Sequence, residues 1–98
     1  METFAVHDQI RMRLIQDFDP VFIEVADDSA RHAGHRESSS GRGTHFSVKM
    51  ASELFKGRTL IKRHQAVYQS LDIFFKSGVH ALQMELWSAE EWHARGTG

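Results

Sequence analysis

The sequence has 98 residues, 41% hydrophobic and 26% charged, which suits one modest core and leaves no room for two domains. Its formal charge of −1 lacks the basic excess that marks a nucleic-acid specialist. With no cysteine there is no disulfide framework and no thiolate ligand, so iron or zinc chemistry must rest on the seven histidines, on carboxylates or on a partner's ligands.

No apolar run approaches membrane-spanning length, and the first residues lack the charged-then-apolar layout of a signal peptide. The expectation is a soluble protein without a membrane partner, located in the cytoplasm or, in a eukaryote, in a reducing organelle matrix.

A first helix is predicted over residues 3 to 16. Val6, Ile10 and Leu14 recur every fourth residue, Phe18 continues the line, and Asp8, Arg11 and Arg13 take the wet side. Pro20, behind Asp17 and Asp19, stops the helix and biases the next residues toward extended structure. Residues 21 to 26 alternate as a strand, with Val21, Ile23 and Val25 on one face and Phe22, Glu24 and Ala26 on the other. Residues 29 to 43 hold four serines, three glycines, three arginines and two histidines, which reads as a long flexible loop. Residues 44 to 50 form the second strand, turning Phe46, Val48 and Met50 inward and His45, Ser47 and Lys49 outward.

Ser52 is a capping residue for a short turn through Leu54 and Phe55, with Glu53 in its first turn. Gly57 is the next turn residue, and a long helix runs from Leu60 to about Phe75. Its apolar stripe is Leu60, His64, Val67, Leu71 and Phe74, which leaves Lys62, Arg63, Gln65 and Gln69 on the opposite, wet face. Gly78 closes the helix, and residues 79 to 87 form a third strand in which His80, Leu82, Met84 and Leu86 share a parity. Ser88 caps a last helical turn that has Glu90 and Glu91 near its start and Trp92 for docking, and residues 94 to 98 are expected to fray as a disordered tail.

The order α-β-β-α-α-β-α, with a right-handed crossover from the second strand to the third, predicts a single α+β domain over residues 1 to 98. Its sheet is mixed and three-stranded, with helices packed on one face.

Five stretches in order resemble the BolA family. They are Phe22-Ile23-Glu24-Val25 with the Asp-Asp-Ser exit, Arg31-His32-Ala33-Gly34-His35, Thr44-His45-Phe46, the run from Phe55-x-Gly57 through Leu60-x-x-Arg63-His64 to Val67-Tyr68-x-x-Leu71, and Val79-His80-Ala81-Leu82. Gln65 departs from the pattern, since arginine is common there. The resemblance implies a BolA fold related to class II KH domains. It also implies a non-enzymatic iron-sulfur adaptor that binds a monothiol glutaredoxin and shares a [2Fe-2S] cluster with it and glutathione, with no cofactor in the isolated domain.

His80 has two readings. Strand parity makes it a core-edge histidine bonded to a carbonyl; its place behind a glycine turn leaves one ring nitrogen open, and the resemblance implies a cluster ligand. The resemblance draws the second ligand from the loop, where spacing does not choose between His32 and His35, and His32 is preferred because it follows Ser-x-Arg. His64 reads as a packed structural histidine, and His7, His45 and His93 carry no assigned role. No serine or carboxylate pair has a nucleophile or acid-base context, so catalysis is not expected.

Lys56, Arg58, Lys62 and Arg63 form the one basic cluster, at the turn and helix start. Four cations on a solvated face are ordinary, yet a helix-turn-helix module would meet phosphates here. A weakly DNA-binding transcriptional regulator is therefore the alternative reading. The two-glycine clamp of a KH loop is absent, because Leu60 stands where its second glycine would be. Alone, the domain is expected to be a monomer or a weak homodimer.

Overall fold

The computed structural model describes residues 4–28 and 45–97. In order these form α1 (Val6–Phe18), β1 (Phe22–Asp27), β2 (His45–Ala51), a 3-10 turn (Glu53–Phe55), α2 (Leu60–Ser70), α3 (Asp72–Lys76), β3 (Ala81–Trp87) and α4 (Ala89–Thr97). The strands lie in the order β1-β2-β3, with β1 antiparallel and β3 parallel to β2. This is the α+β architecture expected of a BolA fold.

The predicted periodicities account for most of the core. Ile10, Leu14 and Phe18 bury one stripe of α1, while Phe46, Val48 and Met50 bury one face of β2. Phe55, Val67, Leu71 and Leu86 complete the cluster, and Ile23, Val25, Phe74, Leu82 and Met84 pack against it half-buried. Val21 lies outside the strand and half-exposed, so the inward line of β1 begins at Ile23.

The element ends explain how the chain turns. Asp19 closes α1 in the left-handed region, φ 44°, with its N–H on the Ile15 carbonyl at 3.0 Å. The Ser52 hydroxyl donates to the Phe18 carbonyl at 2.7 Å and accepts the Leu54 N–H at 3.1 Å, so one buried side chain both caps the 3-10 turn and ties it to the end of α1.

The expected long helix is two helices. At Leu71 the backbone leaves the helical region (φ −101°, ψ 15°), ending α2, and α3 begins at Asp72. The break keeps Val67 and Leu71 in the core while it re-aims the next turn, so that Phe74 and Phe75 pack inward and Ile73 faces out. Neither glycine nor proline marks it. Behind α3, Gly78 takes φ 123° and the Val79 N–H reaches back to the Phe74 carbonyl at 3.1 Å, a Schellman-type closure that holds Val79 buried. The chain therefore joins the sheet at Ala81, two residues later than expected.

α1, α2 and α3 cover the core face. α4 crosses the end of the sheet and meets residues of outward parity. Its Trp92 ring stacks on Phe22 at 4.2 Å between centroids, and the Arg95 guanidinium lies over Trp87 at 4.7 Å and Trp92 at 4.9 Å. These contacts carry helical structure on to Thr97, through residues expected to fray.

Candidate functional site

Two regions carry the residues singled out in the sequence. The first is the end of the sheet where β2 and β3 both begin. His45 is registered with Ala81, and Asp27, the last residue of β1, with Phe46. The Asp28 N–H closes this end on the His45 carbonyl at 2.8 Å. His80 stands one residue before β3 and is exposed, so its imidazole does not share the burial of Leu86, with which parity alone would have grouped it.

His32 and His35 lie outside the described residues. The described chain stops at Asp28 and resumes at His45, and both of those positions belong to this same sheet end, beside His80. His45 is half-buried. Among the described residues, no three histidine, cysteine or acidic side chains come close enough to enclose a metal ion. A metal held through His80 must draw its other ligands from elsewhere.

The second region is the turn between the 3-10 helix and α2. Gly57 adopts φ 76°, the left-handed conformation that glycine takes at least cost, and the Arg58 N–H bonds the Phe55 carbonyl at 3.1 Å. Thr59 caps α2, its hydroxyl accepting the Lys62 N–H at 3.1 Å. Lys56, Arg58 and Lys62 are exposed around this turn. Arg58 and Lys62, with Gly57, Gln65 and Gln69, line an open depression of ≈ 460 Å³.

Arg63 does not belong to that face. It is only 5% exposed, whereas Leu60, the expected start of the apolar stripe, is 63% exposed. The inward line of α2 is therefore Arg63, Val67 and Leu71, with His64 half-buried beside it. The stripe is rotated because the guanidinium finds acceptors inside for four of its five N–H groups. Nε donates to the Arg58 carbonyl at 2.9 Å, Nη1 to the Leu86 carbonyl at 3.3 Å and to Glu91 Oε1 at 2.7 Å, and Nη2 to Glu91 Oε2 at 3.0 Å.

Glu91 in turn accepts the Ser88 N–H at 3.0 Å while Ser88 Oγ accepts the Glu91 N–H at 3.1 Å, a reciprocal capping box. The hydrogen bonds from Arg63, and then that from the Ser88 backbone, hold the Glu91 carboxyl down to about 2. The same pairing raises Arg63 above its ordinary value. Sequence reasoning recognised the cap but missed the ion pair, whose partners lie 28 residues apart on different elements.

Comparison with known proteins places this geometry. A family model described as BolA-like protein matches residues 14–91. SufE-like protein 1, chloroplastic/mitochondrial, of Arabidopsis thaliana is 44% identical over 80 residues, which cover 78% of this chain and 22% of that protein, so the chain spans about a fifth of it. The DNA-binding transcriptional regulator BolA of Escherichia coli strain K12 is 33% identical over 87 residues, covering 89% of this chain and 79% of its own. Among solved structures, the BolA domain of SufE1 from Arabidopsis thaliana superposes with a TM-score of 0.79 at 37% identity, covering 92% of this chain and 99% of that one. BolA1 from Arabidopsis thaliana gives 0.78 at 34% identity, covering 93% and 97%.

Proposed function

Because the chain belongs to the BolA family, we propose that it is a non-enzymatic iron-sulfur adaptor that binds a monothiol glutaredoxin and completes a shared [2Fe-2S] site through His80 and a histidine of the 29–44 segment, His32 or His35. The observation that carries this reading is the exposure of His80 at the sheet end between whose neighbouring positions, Asp28 and His45, that segment is connected. In this reading His80 supplies one imidazole, and the remaining ligands come from the 29–44 segment and the partner.

Replacing cysteine by histidine on such a cluster makes it easier to reduce and sensitive to protonation of the ring. Cluster binding and partner binding are then one equilibrium, because the ligands of each protein complete the other's. The same reading implies a reducing compartment, and among the described residues no helix is long and apolar enough to cross a membrane.

The test is anaerobic reconstitution with a monothiol glutaredoxin, glutathione, iron and sulfide, read by visible circular dichroism. A spectrum distinct from that of the glutaredoxin alone, reverting with His80→Ala, is expected. An unchanged spectrum on adding this protein would end the adaptor reading.

The Escherichia coli relative is a DNA-binding transcriptional regulator, which favours a second reading, weak DNA binding through Lys56, Arg58 and Lys62. The burial of Arg63 removes one of its four cations. Phosphate-driven binding must weaken steeply with salt, with a slope of about −0.9 per phosphate neutralised. A salt-independent complex with duplex DNA, or none, would count against it.

A further inference from the structure

The outward face of the sheet is divided. At one end α4 covers it, with Trp92 stacked on Phe22 and the Arg95 guanidinium over Trp87 and Trp92. At the other end no described element lies over it. There, cross-strand register puts Glu24 opposite Lys49 and Lys49 opposite Glu85, one row across all three strands. The row and Asp28 line an open depression of ≈ 440 Å³ whose floor is polar, with Ser47 and Gln83.

Two carboxylates, Glu24 and Glu85, therefore flank one ammonium, and Asp28 lines the same depression four residues beyond Glu24. Among the described residues, the side-chain ion pairs within 4 Å lie elsewhere, at Arg13–Asp17, Arg63–Glu91, Lys76–Asp72 and His7–Asp8. With neighbouring strands about 4.8 Å apart, Glu24 and Glu85 stand about 10 Å from each other, with Lys49 between them. That spacing suits two cationic side chains of one chain better than it suits a single ion. The covered half of the same face already shows a cation accepted, in Arg95.

We propose that the half of the outer sheet face over which no described element lies docks an extended, lysine- or arginine-bearing segment of a partner protein, its cations paired with Glu24 and Glu85. Charge complementarity selects this occupant. The surplus of negative charge and the polar floor disfavour an apolar helix, and the same surplus repels nucleic acid. An extended segment places alternate side chains on one side, so a basic-x-basic pattern can address both carboxylates while its intervening residues face solvent. The proposal is independent of His80, since none of these residues is assigned to the cluster site.

The experiment is a titration of the full chain with a capped heptapeptide of alternating lysine and threonine, followed by amide chemical shifts in two-dimensional nuclear magnetic resonance. Saturable shifts are expected at Glu24, Ser47, Lys49, Gln83 and Glu85, weakening with added salt. The double variant Glu24→Gln, Glu85→Gln should bind roughly fivefold more weakly, since two exposed ion pairs are lost, and Lys49→Gln roughly twofold more tightly. All three side chains are exposed, so these variants keep the fold. No saturable shift, an equal response to the glutamate-threonine counterpart, or an unchanged affinity in the double variant would each overturn the proposal. Shifts on this face that follow protein concentration without peptide would overturn it in favour of a second copy of the chain, and shifts produced by magnesium alone in favour of a cation site.

Discussion

The guanidinium of Arg63 and the carboxylate of Glu91 meet through two parallel hydrogen bonds, 2.7 Å and 3.0 Å long, across the junction of α2, β3 and α4. The arginine side chain is 6% exposed and the glutamate 50%, so the pair is buried on one side and wet on the other. Arg63 also serves the carbonyls of Arg58 and Leu86, which makes it the common partner of the basic turn, the last strand and the final helix.

Removing that partner should be costly. Arg63→Ala strands two backbone carbonyls and a carboxylate, although Glu91 can recover water, so a loss of roughly 2–4 kcal/mol is expected in urea unfolding. Lys62→Ala, one residue away and exposed, should change stability by less than about 0.5 kcal/mol. Equal effects of the two substitutions would mean that Arg63 is solvated and belongs to the basic face after all.

The same pair sets a pH dependence. The Glu91 carboxyl is lowered from 4.5 to about 2 in the folded chain, first by the hydrogen bonds from Arg63. A depressed carboxyl stabilises the fold fully above its unfolded value, and that contribution is lost as pH falls through the folded value. Stability measured by urea midpoint should therefore fall between about pH 4.5 and about pH 2. In Glu91→Gln the fall should be shallower, from a lower starting point at neutral pH. Because the carboxylate is half-exposed, screening reduces the size of the effect but leaves its sign unchanged.

Leu71 is a core residue at the junction of two helices, 1% exposed. Leu71→Ala should cost roughly 2–5 kcal/mol, measured by chemical denaturation. A negligible cost would mean that the break at Leu71 does not anchor both helices.

Trp92 holds α4 to the sheet by stacking on Phe22 and carrying Arg95. Trp92→Ala should destabilise by roughly 2–3 kcal/mol, the ring being only partly buried, and should expose the amides of α4 to faster hydrogen exchange than those of β2. Uniform protection across both elements would show that the Ser88–Glu91 cap and Arg63 suffice to dock the helix.

His80→Ala should leave the thermal transition within a degree or two, since an exposed side chain ahead of a strand carries little packing. In the presence of glutaredoxin the same variant should lose the mixed-cluster spectrum. Unfolding of the domain by this substitution would contradict the exposure of the ring and remove the basis for assigning it as a ligand.

Much of this molecule comes from short-range pattern. The fourfold spacing of Ile10, Leu14 and Phe18, the alternation through Phe46, Val48 and Met50, the cap at Ser52 and the turn at Gly57 are local statements, each settled within a few residues by helical or strand geometry. The parallel pairing of β3 with β2 was legible as well, because a helical crossover between two strands of one sheet has a preferred hand. So was the glycine stop at Gly78, though not the two residues by which it delays the strand.

Only tertiary structure decided where Arg63 points and where the second helix breaks. A helical wheel read alone puts arginine in water and leucine in the core. Leu60 is nevertheless exposed and Arg63 buried, because acceptors from the turn, the last strand and the last helix converge on one guanidinium. A buried charge is tolerated only when most of its hydrogen bonds are supplied, and in this chain the suppliers lie five, 23 and 28 residues away. No window of sequence contains them together, so the face of α2 that meets water, and with it the composition of the basic surface, is a property of the assembled fold.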